Sequence, residues 1–461
     1  MISPRLAKWA LVVAPLVALG LTLWLQSIGW PPPRAMTVGI TVLTAAWWIF
    51  EPIPIPATSL IPIGSFPLLG ILTANEVGQS YGSPLILLLL GGFILSTALA
   101  KNNAHKRIAM AMVRTFGKKS KRGLVFGFMV ASAFLSMWIS NTATSLMLLP
   151  VALAVLESAK DKSLTIPLLL GIAYAASVGG VGTPIGTPPN LIFMKVYGDA
   201  IGETPSFTQW MKWAVPLVVL FVPIIALWLT RKLKGQGSYE LPEHKAWSQA
   251  EIRVVILFVI TALLWITRKE PFGGWSELLN LPNASDGSVA LLAVVAVFLV
   301  PDGKGGKLLD WQTANRIPWG VLLLFAGGIS IAKAFTVTGL SLVIGEALSV
   351  FTVLPLVLII LALALCITFL TEITSNTATT TLLMPILAAA AITTGIDPLI
   401  LMVPAAMSAS CAFMLPVATA PNAVVFGSEK VPLERMMREG FILNLIGAGL
   451  ITGVCYLLFV V

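Results

Sequence analysis

The chain has 461 residues; 57% are apolar or aromatic and only 11% are charged. Soluble globular proteins carry roughly 25% charged residues. A mean hydropathy of +0.92 therefore excludes a soluble domain with one anchor, a secreted disulfide scaffold, a disordered protein and a cytosolic enzyme.

In chain order, the predicted elements are long apolar runs joined by short polar loops, the pattern of a polytopic α-helical membrane protein. A crossing needs about 20 apolar residues. The first run, 9–29, follows a basic start and mimics a signal peptide. No A-x-A-like site follows it and Trp30-Pro31-Pro32-Pro33 ends it, so it reads as a membrane helix. Runs at 36–50, 54–73 and 83–100 come next, then a polar loop from Lys101 to Arg122. Segments 123–139 and 143–158 are too short for independent crossings and meet at Ser140-Asn141-Thr142. Apolar segments follow at 164–197, 212–231, 251–267, 287–301 and 319–337. A second short pair, 352–373 and 378–393, meets at Ser375-Asn376-Thr377, and 398–426 and 441–460 close the chain. With both short pairs as re-entrant hairpins, the fold class is an all-α polytopic membrane protein with 11 transmembrane helices.

The net charge of +9, from 29 basic and 20 acidic residues, would suggest nucleic acid in a soluble chain. Here its placement matters more. With the N-terminus inside, the cytoplasmic segments are 1–8, 101–122, 159–163, 232–253, 302–318 and 427–440; counting Arg231 at that membrane edge, they hold 23 of the 29 Lys and Arg. The remaining six are Arg34, Lys195, Lys212, Arg268, Lys269 and Lys333. This bias fits the positive-inside rule and removes the need for a nucleic-acid partner. It leaves the C-terminus extracytoplasmic. Full crossings in place of hairpins would give the same orientation. Cys366, Cys411 and Cys455 lie in apolar stretches and read as small buried hydrophobes. His105 and His244 lie in polar loops and form no metal pair.

The chain repeats itself. Gly91-Gly92 is answered by Gly327-Gly328, Ser140–Thr144 by Ser375–Thr379, and the loop Thr187–Asn190 by Thr419–Asn422. The offsets are 236, 235 and 232 residues. On the assigned spans the halves have opposite orientation, as in secondary transporters with inverted repeats and sites on broken helices.

Ser-Asn-Thr is out of place within a hydrocarbon-length segment, where polar groups survive only buried in protein or lining a cavity. At a hairpin tip the first half-helix ends in free carbonyls suited to Na⁺. The second begins with free N–H groups suited to a carboxylate. Ser and Asn oxygens extend the cation cage, and Asn and Thr can donate to an anion. The loops Gly182–Asn190 and Ala418–Asn422 free further carbonyls through their prolines. No Arg or Lys lies near either tip in sequence, so an anion there needs dipoles, neutral donors and neighbouring Na⁺. A purely structural role, with Ser and Thr gluing helices and Pro kinking them, explains one motif better than a duplicated set.

Glu372, three residues before Ser375, is an intramembrane acid and so a functional candidate. It could carry a proton, bias a cation site or be a paired structural carboxylate. Met137 stands at its equivalent in the first half, so it lies outside the duplicated chemistry. Glu51 and Lys333 lie near span ends and read as snorkelling or paired.

The paired Ser-Asn-Thr tips, the loop Thr183–Asn190 and the loop Ala418–Asn422 together resemble the divalent anion–sodium symporter family, over nearly the whole chain. The resemblance implies a homodimer in the cell inner membrane, with elevator-type scaffold and transport domains. It implies import of succinate-like C4-dicarboxylates with Na⁺ at two or more sites and no organic cofactor. Carried over by motif, Ser136, Ser140, Asn141 and Gly186 would hold one Na⁺. Thr371, Ser375, Asn376 and Thr419 would hold another. Asn141, Thr142, Asn376 and Thr377 would contact the carboxylates. The implied parts are scaffold helices at 1–122 and 251–350, a linker at 232–250, and transport-domain parts at 123–231 and 351–461. Citrate or sulfate as substrate, exchange, or proton coupling would share this architecture. An intramembrane enzyme is disfavoured: there is no HExxH or Gly-x-Ser-x-Gly motif and no His within the spans. Two broken tips also suggest an occludable site rather than a channel.

Overall fold

The computed structural model describes residues 4–116, 120–159, 161–235, 246–348 and 354–461. Among the described residues it is helical, with one isolated β-bridge between Pro301 and Lys307. Among the described residues, nine helical stretches are long and apolar enough to cross a membrane.

Helices α1 (Pro4–Ser27) and α2 (Pro32–Phe50) pack together. The run 54–73 divides into α3 (Ile55–Thr58) and α4 (Leu60–Leu68); α5 (Ala74–Tyr81) and α6 (Pro84–Lys101) follow. The basic loop contains α7 (Ala104–Phe116) and leads to α8 (Lys121–Ser136) and α9 (Asn141–Ala159). The long run 164–197 resolves into α10 (Thr165–Val181) and α11 (Pro188–Ile201), followed by α12 (Phe207–Thr230). Then come α13 (Gln249–Ile266), α14 (Gly274–Leu278), α15 (Asp286–Leu299), α16 (Trp311–Ala314), α17 (Trp319–Val337) and α18 (Leu340–Leu348). The last part holds α19 (Leu356–Leu370), α20 (Asn376–Thr394), α21 (Pro398–Ala409), α22 (Ala420–Phe426) and α23 (Leu433–Phe459).

Both long runs break for the same local reason. Thr187 (φ −147°) and Thr419 (φ −139°) are extended N-caps, and proline occupies the first turn of α11 and of α22, where no amide donor is needed. Helix α10 is the centre of the molecule, buried continuously from Pro167 to Val181. Its close approach to α8 depends on Gly179, where a Cβ would run into the Ala133 backbone. The two halves exchange neighbours: α9 packs on α22, and α20 packs on α11. By the repeat offsets these are equivalent contacts. The second arm of each hairpin therefore lies on the broken helix of the other half.

Ion pairs sort by the sides assigned from charge. Lys101–Asp310, Arg107–Glu251, Lys121–Asp161 and Arg231–Glu439 join segments placed inside. Lys195–Asp199, Lys212–Glu270 and Arg268–Asp286 join segments placed outside. None of these pairs bridges the two groups.

Two smaller expectations need correction. Cys411 and Cys455 are buried, but Cys366 is exposed on α19. A helix bordering lipid can turn an apolar face outward at no cost, so hydrophobicity did not imply burial there. His105 lies on α7 and is buried, its Nδ1 3.1 Å from the Leu99 carbonyl, because the basic loop folds as a helix against α8. Burial and the nearby Lys106 charge lower its pKa. His244 and most of the linker 232–250 lie outside the described residues.

Candidate functional site: two broken-helix cradles

Each hairpin turn is a four- or five-residue break between helices. In the first, α8 ends at Ser136 and α9 begins at Asn141; in the second, α19 ends at Leu370 and α20 begins at Asn376. Ser140 Oγ accepts the Ala143 amide at 3.2 Å, and Ser375 Oγ accepts that of Ala378 at 3.5 Å. The serines thus cap the second arms, satisfying amides that a helix start leaves free.

Across each break a hydroxyl meets the hairpin asparagine. Ser136 Oγ donates to Asn141 Oδ1 at 2.5 Å, and Thr371 Oγ1 donates to Asn376 Oδ1 at 2.5 Å. Ser136 and Thr371 are fully buried, whereas the Ser-Asn-Thr triplets at 140–142 and 375–377 are half-buried. The tips therefore combine a dry oxygen floor with a partly accessible rim.

The broken loops complete each cradle. The Asn141 side chain lies against Gly180, where a Cβ would come within 2.6 Å of Asn141 Oδ1. Gly186 lies against the Gly180 carbonyl. The Thr183 hydroxyl donates to the Met137 carbonyl and ties loop to hairpin turn. Asn190 Nδ2 donates to the carbonyls of Gly180 (3.0 Å) and Thr183 (2.7 Å). Trp210 Nε1 holds the Val181 carbonyl at 2.8 Å.

In the second half Asn422 Nδ2 donates to the carbonyls of Ala412 (3.2 Å) and Leu415 (3.0 Å), and Thr419 Oγ1 accepts the Asn422 amide at 3.2 Å. Thr371 also donates to the Ala409 carbonyl at 3.1 Å. Asn190 Oδ1 and Asn422 Oδ1 are buried without a hydrogen-bond partner, as are Ser177, Ser408 and Ser410 Oγ. Leaving a buried acceptor unmet costs about 1–3 kcal/mol. A hard cation with oxygen ligands would use such lone pairs. Among the described residues no three His, Cys, Asp or Glu side chains gather as a metal cluster, so a cation here relies mainly on neutral oxygens.

Of the residues expected from sequence, Asn141 and Gly186 lie against Gly180, Ser136 bonds Asn141, and Ser140 caps α9 beside it. Thr371, Ser375 and Asn376 come together around the second turn. Thr419 caps α22, and the carbonyl bonded to Thr371 belongs to Ala409, the last residue of α21. Thr142 and Thr377 sit half-buried in the first turns of α9 and α20. Sequence reasoning missed the matched roles of Asn190 and Asn422, although both close their quoted loops at the repeat offset.

Glu372 is 3% exposed. Its Oε1 accepts from the Phe413 amide (2.7 Å), the Met414 amide (2.9 Å) and Asn444 Nδ2 (2.7 Å), and Oε2 accepts from the Leu415 amide (2.9 Å). These four N–H donors tie it to the second broken loop and to α23.

A family model for the sodium:sulfate symporter transmembrane region matches residues 6–460. The chain is 38% identical over 473 residues to the sodium-dependent dicarboxylate transporter SdcS of Staphylococcus saprophyticus, covering 97% of this chain and 90% of that one. Identity to SdcS of Staphylococcus aureus is also 38%, over 471 residues and the same shares. The fold is similar to that of the Alcanivorax borkumensis YdaH transporter, with TM-score 0.59 at 16% identity over 94% of this chain and 99% of that chain.

Proposed function

The chain belongs to the sodium:sulfate symporter family, and on that premise we propose that it imports C4-dicarboxylates such as succinate, fumarate and malate together with Na⁺. The observation that carries this reading is the duplicated cradle: two hydroxyl–asparagine pairs, each backed by a broken helix and a buried asparagine with a free oxygen. Ser136, Ser140, Asn141 and backbone near Gly186 form one Na⁺ site. Thr371, Ser375, Asn376 and backbone near Ala409 and Thr419 form a second. Asn141, Thr142, Asn376 and Thr377 offer donors to the two carboxylates from the half-buried rims.

A dicarboxylate brings two negative charges to tips whose donors are neutral. Na⁺ bound beside each tip supplies the missing positive charge, so the anion binds well only after the cations. That linkage couples the fluxes: each ligand strengthens the other by the same factor.

The architecture that goes with this function is eleven crossings and two re-entrant hairpins in a homodimer in the cell inner membrane. The N-terminus is cytoplasmic and the C-terminus extracytoplasmic. The cradles ride in an elevator-type transport domain against a scaffold of 1–122 and 251–350. Transport of another divalent oxyanion is the second reading, favoured by the sulfate in the description of the matching family model.

The test is uptake of labelled succinate into proteoliposomes with an inward Na⁺ gradient, and with choline in its place. Uptake that needs Na⁺ is expected; uptake indifferent to the replacement would sink symport. Excess unlabelled fumarate should compete, whereas competition by sulfate or citrate alone would favour the second reading.

A further inference from the structure

The halves differ most where hairpin meets broken loop. In the first half this tie is one neutral hydrogen bond, from the Thr183 hydroxyl to the Met137 carbonyl. The repeat offsets place Glu372 opposite Met137 and Leu415 opposite Thr183. In the second half the same two positions are joined through a carboxylate that also collects the amides of Phe413 and Met414. Asn444 on α23 closes the ring: its Nδ2 donates to Glu372, and its Oδ1 accepts the Phe413 amide at 3.2 Å.

A buried carboxylate is costly unless it is paired or fully hydrogen-bonded. Here no Lys or Arg forms an ion pair with it among the described residues, and the compensation comes from four N–H donors. Three successive amides turned toward one anion form a backbone nest. Those amides lie between α21 and α22, outside any helix. Without Glu372 the Met414 and Leu415 amides would lose their acceptor, and the Phe413 amide would keep only Asn444 Oδ1. Thr371, its chain neighbour, carries the hydroxyl that spans Asn376 Oδ1 and the Ala409 carbonyl.

We propose that Glu372 is a positioning residue for the second cation site: it pins the unwound segment 413–415 to the hairpin turn and so fixes the oxygens around Thr371 and Asn376. The inference rests on the Na⁺ assignment above. It makes the second cradle preorganised by a charged clasp, while the first is held by a single neutral tie.

The experiment follows the thermal unfolding midpoint of purified protein during Na⁺ titration without substrate, alongside the Na⁺ dependence of succinate uptake. Partners of this kind typically alter metal affinity by about 10- to 100-fold. Glu372→Gln cannot accept all four donors and should raise the Na⁺ concentration for half-maximal stabilisation by about tenfold or more. Asn444→Ala should shift it in the same direction by less, and the double variant should fall short of the sum of the two shifts, because both remove one network. A merely structural role predicts a lower midpoint at every Na⁺ concentration with unchanged half-saturation. That result in folded Glu372→Gln would overturn the proposal. Where Glu372→Gln does not fold, Asn444→Ala decides by the same criterion. Failure of the transport reading appears separately, as wild-type succinate uptake indifferent to Na⁺.

Discussion

Asn190 and Asn422 lie 232 residues apart and are held in the same way. Each is fully buried, gives its amide N–H groups to carbonyls of the preceding broken loop, and leaves Oδ1 without a partner. Truncating Asn190 to Ala strips a donor from the carbonyls of Gly180, Val181 and Thr183, and truncating Asn422 strips one from those of Ala412 and Leu415. A buried carbonyl left unmet costs about 1–3 kcal/mol, while those of Val181, Thr183 and Leu415 keep a second donor. Asn190→Ala and Asn422→Ala should each lower the unfolding midpoint and weaken its rise with Na⁺. A variant with wild-type midpoint and Na⁺ response would remove that asparagine from the cradle.

Asn141→Ala and Asn376→Ala should each abolish succinate uptake, since each removes a cation oxygen and an anion donor together. Ser136→Ala and Thr371→Val remove only the hydroxyl, a loss of about 1 kcal/mol for a hydrogen bond. They should raise Na⁺ half-saturation several-fold while transport persists. Full activity in either asparagine variant would take that tip out of the site.

Gly180→Ala tests the fit between loop and tip. A methyl group there stands 2.6 Å from Asn141 Oδ1 and 3.0 Å from its Nδ2. The side chain must move, because these gaps are well inside van der Waals contact. Uptake should fall at least tenfold while the variant still reaches the membrane and elutes as wild type on size exclusion. Wild-type uptake would show that Asn141 tolerates displacement.

Arg231 and Glu439 join the end of α12 to the start of α23; the carboxylate is 8% exposed, and the guanidinium stacks 3.9 Å from the Trp228 ring centroid. Glu439→Gln should destabilise the protein by about 2 kcal/mol, less than a fully buried pair because Arg231 keeps contact with solvent. Arg438→Gln, whose side chain is far more exposed, should be near neutral. Equal midpoints for the two variants in thermal unfolding would contradict this ranking.

Orientation can be read with a membrane-impermeant thiol reagent on intact cells. In a Cys366→Ser background, Leu278→Cys should react from outside and Trp311→Cys only after permeabilisation; both native side chains are well exposed. The reverse pattern would invert the assigned topology.

The two breaks were legible in the sequence because Ser-Asn-Thr and the Thr-Pro loops put polar and proline residues where hydrocarbon-length helices cannot keep them. That Ser136 and Asn141 were named for one site came from the family resemblance alone; their hydrogen bond was not foreseen. The partners of Glu372 left no comparable trace: three are backbone amides, and Asn444 lies 72 residues away on another helix. Backbone donors carry no residue-type signal, so the acid could be flagged but its job could not. The bond from Thr371 to the Ala409 carbonyl left no trace for a related reason, since motif matching fixes the order of residues and not which carbonyl a helix end turns inward. Cys366 marks a different limit: in a bilayer, an apolar residue has two comfortable environments.

The contact of α9 with α22, and of α20 with α11, has a consequence for how each half could exist alone. In the inverted topology proposed above, a solitary half would carry a hairpin arm whose partner surface belongs to a chain running the other way. Its complement would then be a second copy inserted upside down. Covalent fusion then fixes one up and one down copy in equal number, freeing each tip to diverge. Glu372 against Met137 is such a divergence: matched locations, held by different chemistry.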